Sequence, residues 1–220
     1  IILAESPDQN GRHVEEALSA ADRALRLAVN AYREQPKHPR VIHAREIYGR
    51  TLANAGQAHA GVEETSRALR DASDLFGPSS RRVGFIAGGL APSLRRVGDI
   101  KAALENSHRS IAIHERGAPR ESFICAQTLP NGAAIWLAAR NGEKALDDLS
   151  MAKETLGRLF GPSHWDTLIA QFHGAVALAY RGRVEEARKE LGPVEERSPD
   201  VKNRMSALHL LGTVNRLAGD

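Results

Sequence analysis

Residues 175–187 read Ala175-Val176-Ala177-Leu178-Ala179-Tyr180-Arg181-Gly182-Arg183-Val184-Glu185-Glu186-Ala187. Three of these positions have counterparts upstream at a fixed interval. Ala187 follows Ala145, Ala103 and Gly61 at steps of 42 residues, and Ala17 precedes Gly61 by 44. Seven residues after each member stand Ala24, Ala68, Ser110, Ala152 and Val194, with the same intervals. Leu178 follows Trp136, Leu94 and Leu52 at steps of 42, and three residues before each lies Ala175, Ala133, Ala91 or Gly49. Four columns sharing one period mark a repeated structural unit.

The columns are small for a physical reason. Two antiparallel helices approach to about 8–9 Å only where one contributes Gly, Ala or Ser at the crossing. Between the columns lie glycines suited to a left-handed helix C-terminus: Gly11, Gly56, Gly98, Gly142, Gly182 and Gly219, each expected to end a first helix. Prolines at Pro36, Pro78, Pro119, Pro162 and Pro199 mark the other junctions, where one pair ends and the next begins. The spacing predicts a helix over 14–34, helix pairs over about 40–76, 80–116, 122–159 and 165–196, and a lone helix near 201–218. The expected fold is an all-α, right-handed superhelical solenoid of antiparallel helix pairs. Residues 1–220 form a single array: a half repeat over 1–35, repeats over about 36–77, 78–118, 119–161 and 162–198, and a half repeat over 199–220. Gly88, Gly89, Pro92 and Pro130 are expected to shorten or kink two first helices.

The segment Gly182 to Ala187, preceded by Ala175 to Tyr180, resembles the tetratricopeptide repeat signature, and Gly98 to Ala103 is similar. The 42-residue period, with a Phe-Gly-Pro-Ser turn at Phe76 and its longer copy Phe160-Gly161-Pro162-Ser163-His164, resembles the longer-helix subfamily of kinesin light chains. That subfamily also occurs in bacterial regulatory proteins. The resemblance implies a superhelix whose concave side, lined by first helices, holds an extended or helical peptide. Carried onto this chain, the groove-lining positions are His43, Glu46, Ile47, Arg50 and Asn54, then Phe85, Gly89 and Arg96, then Gln127, Asn131 and Ala138, and finally Phe172, His173, Val176 and Tyr180. Arg50, Arg96, Asn54 and Asn131 supply donors for a peptide backbone or an acidic side chain, so the implied ligand is an acidic protein or peptide segment.

Other classes of function find little support. No phosphate-binding Gly-rich loop, nucleophile elbow or dinucleotide fingerprint is present. His38 and His43 are five apart and His108 and His114 six apart, so neither pair shares a face at metal-ligand spacing, and no metal or cofactor is expected. His164 lies in a turn where Ser163 is expected to cap the next helix, Cys125 reads as a small buried hydrophobe, and Trp136 as core. The 30 basic and 27 acidic residues are interspersed, which gives no nucleic-acid footprint despite a pI near 9.2. A lone cysteine requires no oxidising compartment, so the cytoplasm is expected. The uncharged stretch from Ser122 to Ala139 carries Gln127, Pro130, Asn131 and Gly132, which argues against membrane insertion. The chain opens on Ile1 and stops at Asp220 just after a helical pattern, as a piece of a longer protein would.

The expected function is therefore a non-catalytic protein- or peptide-binding scaffold within a larger regulatory or adaptor protein. The alternative is an effector-sensing domain of a bacterial transcription regulator or signalling ATPase. An enzyme would have to work through His43 and Glu46, three residues apart on one helix, an arrangement more typical of a local surface interaction. Far-ultraviolet circular dichroism should show a helix-dominated spectrum, since every column follows helical spacing. Substantial strand signal would rule out the repeat reading.

Overall fold

Several helices begin and end where the sequence supplies a local reason. The computed structural model describes residues 7–117, 123–197 and 212, and among them the chain is helical without strands. The helices are α1 (Pro7–Ala31), α2 (Pro39–Asn54), α3 (Ala58–Phe76), α4 (Arg81–Arg96), α5 (Ile100–Gly117), α6 (Phe123–Ala138), α7 (Gly142–Phe160), α8 (Trp165–Tyr180) and α9 (Val184–Arg197). The four expected pairs are these helices from α2 to α9; the lone helix expected near 201–218 lies outside the described residues. No described helix is long and apolar enough to cross a membrane.

First and second helices are joined by three-residue turns whose middle residue is left-handed: Gly56 (φ 85°), Gly98 (φ 84°), Arg140 (φ 58°) and Gly182 (φ 71°). This corrects two of the glycine assignments. Gly142 opens α7, and Gly11 lies inside α1. The 42-residue step from Gly98 leads to Arg140, the one non-glycine in the left-handed region among the described residues. The second kind of turn is also periodic. Gly77 and Gly161, both left-handed, close α3 and α7, and the next helices are capped by Ser80 and His164. His38, in the same column, accepts from the Arg40 amide. Ser163 is therefore not the cap of α8: the His164 ring accepts from the Asp166 amide at 3.3 Å and stacks on Phe160.

α4 and α6 are each 16 residues long, the same as α2 and α8, so the internal prolines do not shorten them. Packing of α4 on α3 and α2 overrides the local penalty of Pro92.

Contacts gather the chain into two compact units, residues 1–113 and 114–220. In the first unit α2 packs on α3 through backbone. A Cβ added at Gly61 would lie 2.6 Å from the Gly49 carbonyl oxygen and 2.8 Å from the Ala53 amide nitrogen. Ala68, Ala91 and Ala103 of the small columns are fully buried or nearly so. In the second unit Ala133, Ala145, Leu149 and Ala177 form one cluster, and Leu168, Ala175, Leu178, Ala187 and Leu191 another. Ala17 and Ala24 depart from the pattern. α1 buries Ala21 and leaves both exposed, so they do not mark a crossing among the described residues.

A few polar groups are folded into these interfaces. Arg45, only 7% exposed, donates to Glu64 at 2.9 Å. At the same repeat positions three periods later, Gln171 donates to the Glu190 carbonyl oxygen at 2.9 Å. Trp136 is half-buried where the other repeats place leucine, and its indole donates to the buried Asp148 at 3.2 Å.

Gly61→Ala should destabilise by about 1–3 kcal/mol although alanine gains about 1 kcal/mol in helix propensity, because overpacking a backbone crossing exceeds that gain. Ala145→Leu should fail in the same way, and near-normal melting of both variants would show that the crossings lie elsewhere. Arg140→Gly should have the opposite sign. Relieving a left-handed arginine raises stability by up to about 1 kcal/mol, and a lower denaturation midpoint would contradict that account of the turn.

Candidate peptide-binding face

α2 and α4 are consecutive first helices of the first unit, and they touch. One repeat period relates His43 to Phe85, Ile47 to Gly89 and Asn54 to Arg96, so the two helices offer matching faces. Apolar and charged groups alternate on them. Ile47 is 41% exposed and Phe85 54%.

Between these sits a charged cluster. The side chain of Glu46 is 1% exposed, and its carboxylate accepts from Arg50 Nη1 at 3.3 Å and from Arg82 Nη2 at 2.7 Å. The same Arg82 nitrogen donates to His43 Nδ1 at 2.7 Å, which leaves the other ring nitrogen to carry the proton in the neutral imidazole. His43 Nδ1 also lies 3.4 Å from Glu46. Arg50 and Arg82 keep 47% and 31% of their side-chain surface exposed above the buried carboxylate.

The stem of Arg50 crosses onto α4 over a glycine. A Cβ at Gly89 would stand 3.3 Å from Arg50 Cδ and 3.8 Å from its Nε. Of the Gly88-Gly89 pair, expected to weaken the helix, Gly89 here gives a flat surface on which an arginine lies.

The structure thus brings His43, Glu46, Arg50 and Gly89 together, and adds Arg82. Glu46 differs from the expectation in being buried as an acceptor and not presented to a ligand; its oxygens are occupied by two guanidinium groups. That also removes it as a free acid or base for a catalytic pair with His43. Asn54 and Arg96 are exposed in the last turns of their helices.

Sequence reasoning misses Arg82 because no groove column contains it, yet a signal exists. Arg81 and Arg82 stand in the first turn of α4, where the helix dipole disfavours cations, so an acidic partner from elsewhere is to be sought.

The remaining expected positions lie in the second unit. The side chains of Gln127, Asn131 and Cys125 lie outside the described residues, and Ala138 is exposed. Phe172 is half-buried, packs against the core of its unit and stacks edge-on with His173. Val176 is half-buried. Tyr180 is 80% exposed at the end of α8. After it the signature segment makes local contacts. Arg183 pairs with Glu186 through bonds of 2.7 and 2.6 Å, which holds the Glu186 carboxyl below the usual carboxylate range, and Ala187 is fully buried. No group of three side chains able to hold a metal ion occurs among the described residues.

No protein-family model matches the sequence, and no curated protein matches it. Solved structures do. BtubC (BKLC) from P. vanneervenii aligns with a TM-score of 0.75 at 20% identity, over 94% of this chain and 85% of that one. A putative kinesin light chain from Podosopora anserina with nearly identical TPR-like repeats aligns with a TM-score of 0.67 at 20% identity, over 83% and 85%. A substituted form of that protein gives 0.68 with the same identity and coverage. At this identity the likeness shows the fold, an all-α solenoid of TPR-like helix pairs.

Proposed function

We propose that this chain is a non-catalytic scaffold whose first helices bind an acidic protein or peptide segment, as one repeat array within a larger regulatory or adaptor protein of the cytoplasm. The observation that carries the reading is the face shared by α2 and α4. Exposed Ile47 and Phe85 flank two arginines whose charge exceeds that of the single carboxylate between them. Apolar anchors beside guanidinium forks suit a segment that alternates hydrophobic and acidic side chains. Arg96, exposed in the last turn of α4, and Asn54 at the matching position of α2 extend the donors along the same direction.

Arg50→Glu combined with Arg96→Glu should weaken capture of acidic peptides by about tenfold or more, since two reversals replace attraction with repulsion. Peptide panels of acidic, neutral and basic composition, read by fluorescence anisotropy, make the comparison. The new carboxylate at position 50 faces Glu46, so the reversed protein should melt slightly lower. Arg50→Gln with Arg96→Gln is the control that keeps the fold and loses only the charge. Equal binding of acidic peptides by wild type and both variants would move the binding surface off the first helices.

A further inference from the structure

Glu46 is buried, charged and committed to two arginines from different helices, a costly arrangement unless the arginines must be held still. Gly89 adds a second device on the facing helix, since the Arg50 stem lies where a Cβ at Gly89 would stand 3.3 Å from its Cδ. The single carboxylate of Glu46 offsets only one of the two guanidinium charges, which leaves one positive charge on the exposed side. Each guanidinium has five donors, of which Glu46 takes one from each and His43 one from Arg82, and 47% and 31% of the two side-chain surfaces stay exposed.

We infer that Glu46 and Gly89 are positioning residues that fix Arg50 and Arg82 as one two-guanidinium fork for a single carboxylate side chain. The inference rests on the acidic-segment reading above and identifies Arg82, in the first turn of α4, as the second arm of that fork. Positioning contributes by removing rotamer entropy before the ligand arrives. Each long side chain fixed in advance spares the ligand that ordering cost on binding. The carboxylate of Glu46 has no contact with the ligand; it acts through the arginines.

The test uses fluorescein-labelled hexaglutamate and the chain as it stands. Arg50→Glu with Arg82→Glu should abolish binding. Gly89→Leu leaves every charge in place and improves helix propensity, yet displaces the Arg50 stem, so it should bind about three- to tenfold more weakly without melting lower. Gly89→Ala is the milder companion should the leucine disturb folding. Glu46→Gln raises the local charge, so it is compared at about 0.5 M salt, where that added attraction is screened within a few ångström. There it should bind about tenfold more weakly than wild type. In nuclear magnetic resonance spectra the Nη signals of Arg50 and Arg82, resolved in the wild type by hindered rotation, should merge in Glu46→Gln.

If the double reversal abolishes binding while Gly89→Leu, Gly89→Ala and Glu46→Gln bind like wild type, the positioning role is overturned and the acidic-segment reading stands. If wild type does not bind hexaglutamate, or the double reversal binds it equally well, that reading falls and the fork with it.

Discussion

The approach of α2 to α3 at Gly49 and Gly61 is the constraint from which the first unit is built. Neither position has room for a methyl group without moving backbone, so the crossing is set by main chain and not by side-chain choice. The tight crossing fixes the axis of α2, and with it the direction in which the opposite face points. That opposite face carries Ile47 and Arg50. The other pairs solve the same problem with alanine, at Ala91 and Ala103 in the first unit and at Ala133 and Ala145, then Ala175 and Ala187, in the second, all fully buried or nearly so. A methyl group in place of a hydrogen at this point leaves the scheme intact but lets the backbones sit slightly farther apart.

Polar groups occupy the same interfaces with more restraint. Arg45 with Glu64, and Gln171 with the Glu190 carbonyl, occupy equivalent positions three periods apart, while the intervening repeats place the fully buried Ala87 and Leu129 at the position of Arg45 and Gln171. The apolar version serves packing as well, so the polar version adds register: a shifted helix would leave a buried charge or amide without its partner. Trp136 with Asp148 follows the same logic at another position. A ring too large to be buried like leucine is fixed by its indole N–H, and Lys144 lies 4.6 Å from the ring centroid.

Much of the fold is legible in the sequence because its cause is periodic. A small residue is required at every crossing and a left-handed residue in every three-residue turn, so both recur with the 42-residue step. The step also points to Arg140 as the turn residue, but glycine chemistry draws attention to Gly142 two residues later. Ala17 and Ala24 satisfy the pattern without its cause, since α1 puts them on its exposed side. The candidate face is legible only in part. Columns show which positions look outward, as for His43, Arg50 and Phe85, but Glu46 is covered by Arg82 on the next first helix, α4, a partner 36 residues away that no single-helix pattern contains. Gly88-Gly89 reads as a defect in the sequence for a similar reason. A glycine that weakens its own helix is informative only when the side chain lying across it is known.

The order in which helices pack has a consequence for how the protein responds to force, heat and time. Among the described residues, helix contacts join immediate neighbours in sequence or helices next but one. Loop closure is therefore short at each step, and each unit should form quickly from whichever pair nucleates first. The same locality limits cooperativity. A pair loosened at one place withdraws support from its neighbours and from nothing beyond them, so amide protection should grade along the chain instead of being lost at a single threshold. The Arg50 and Arg82 fork spans two such pairs. Bound ligand would thus act as a staple between segments that the backbone alone couples only through packing, tightening the part of the solenoid that holds it.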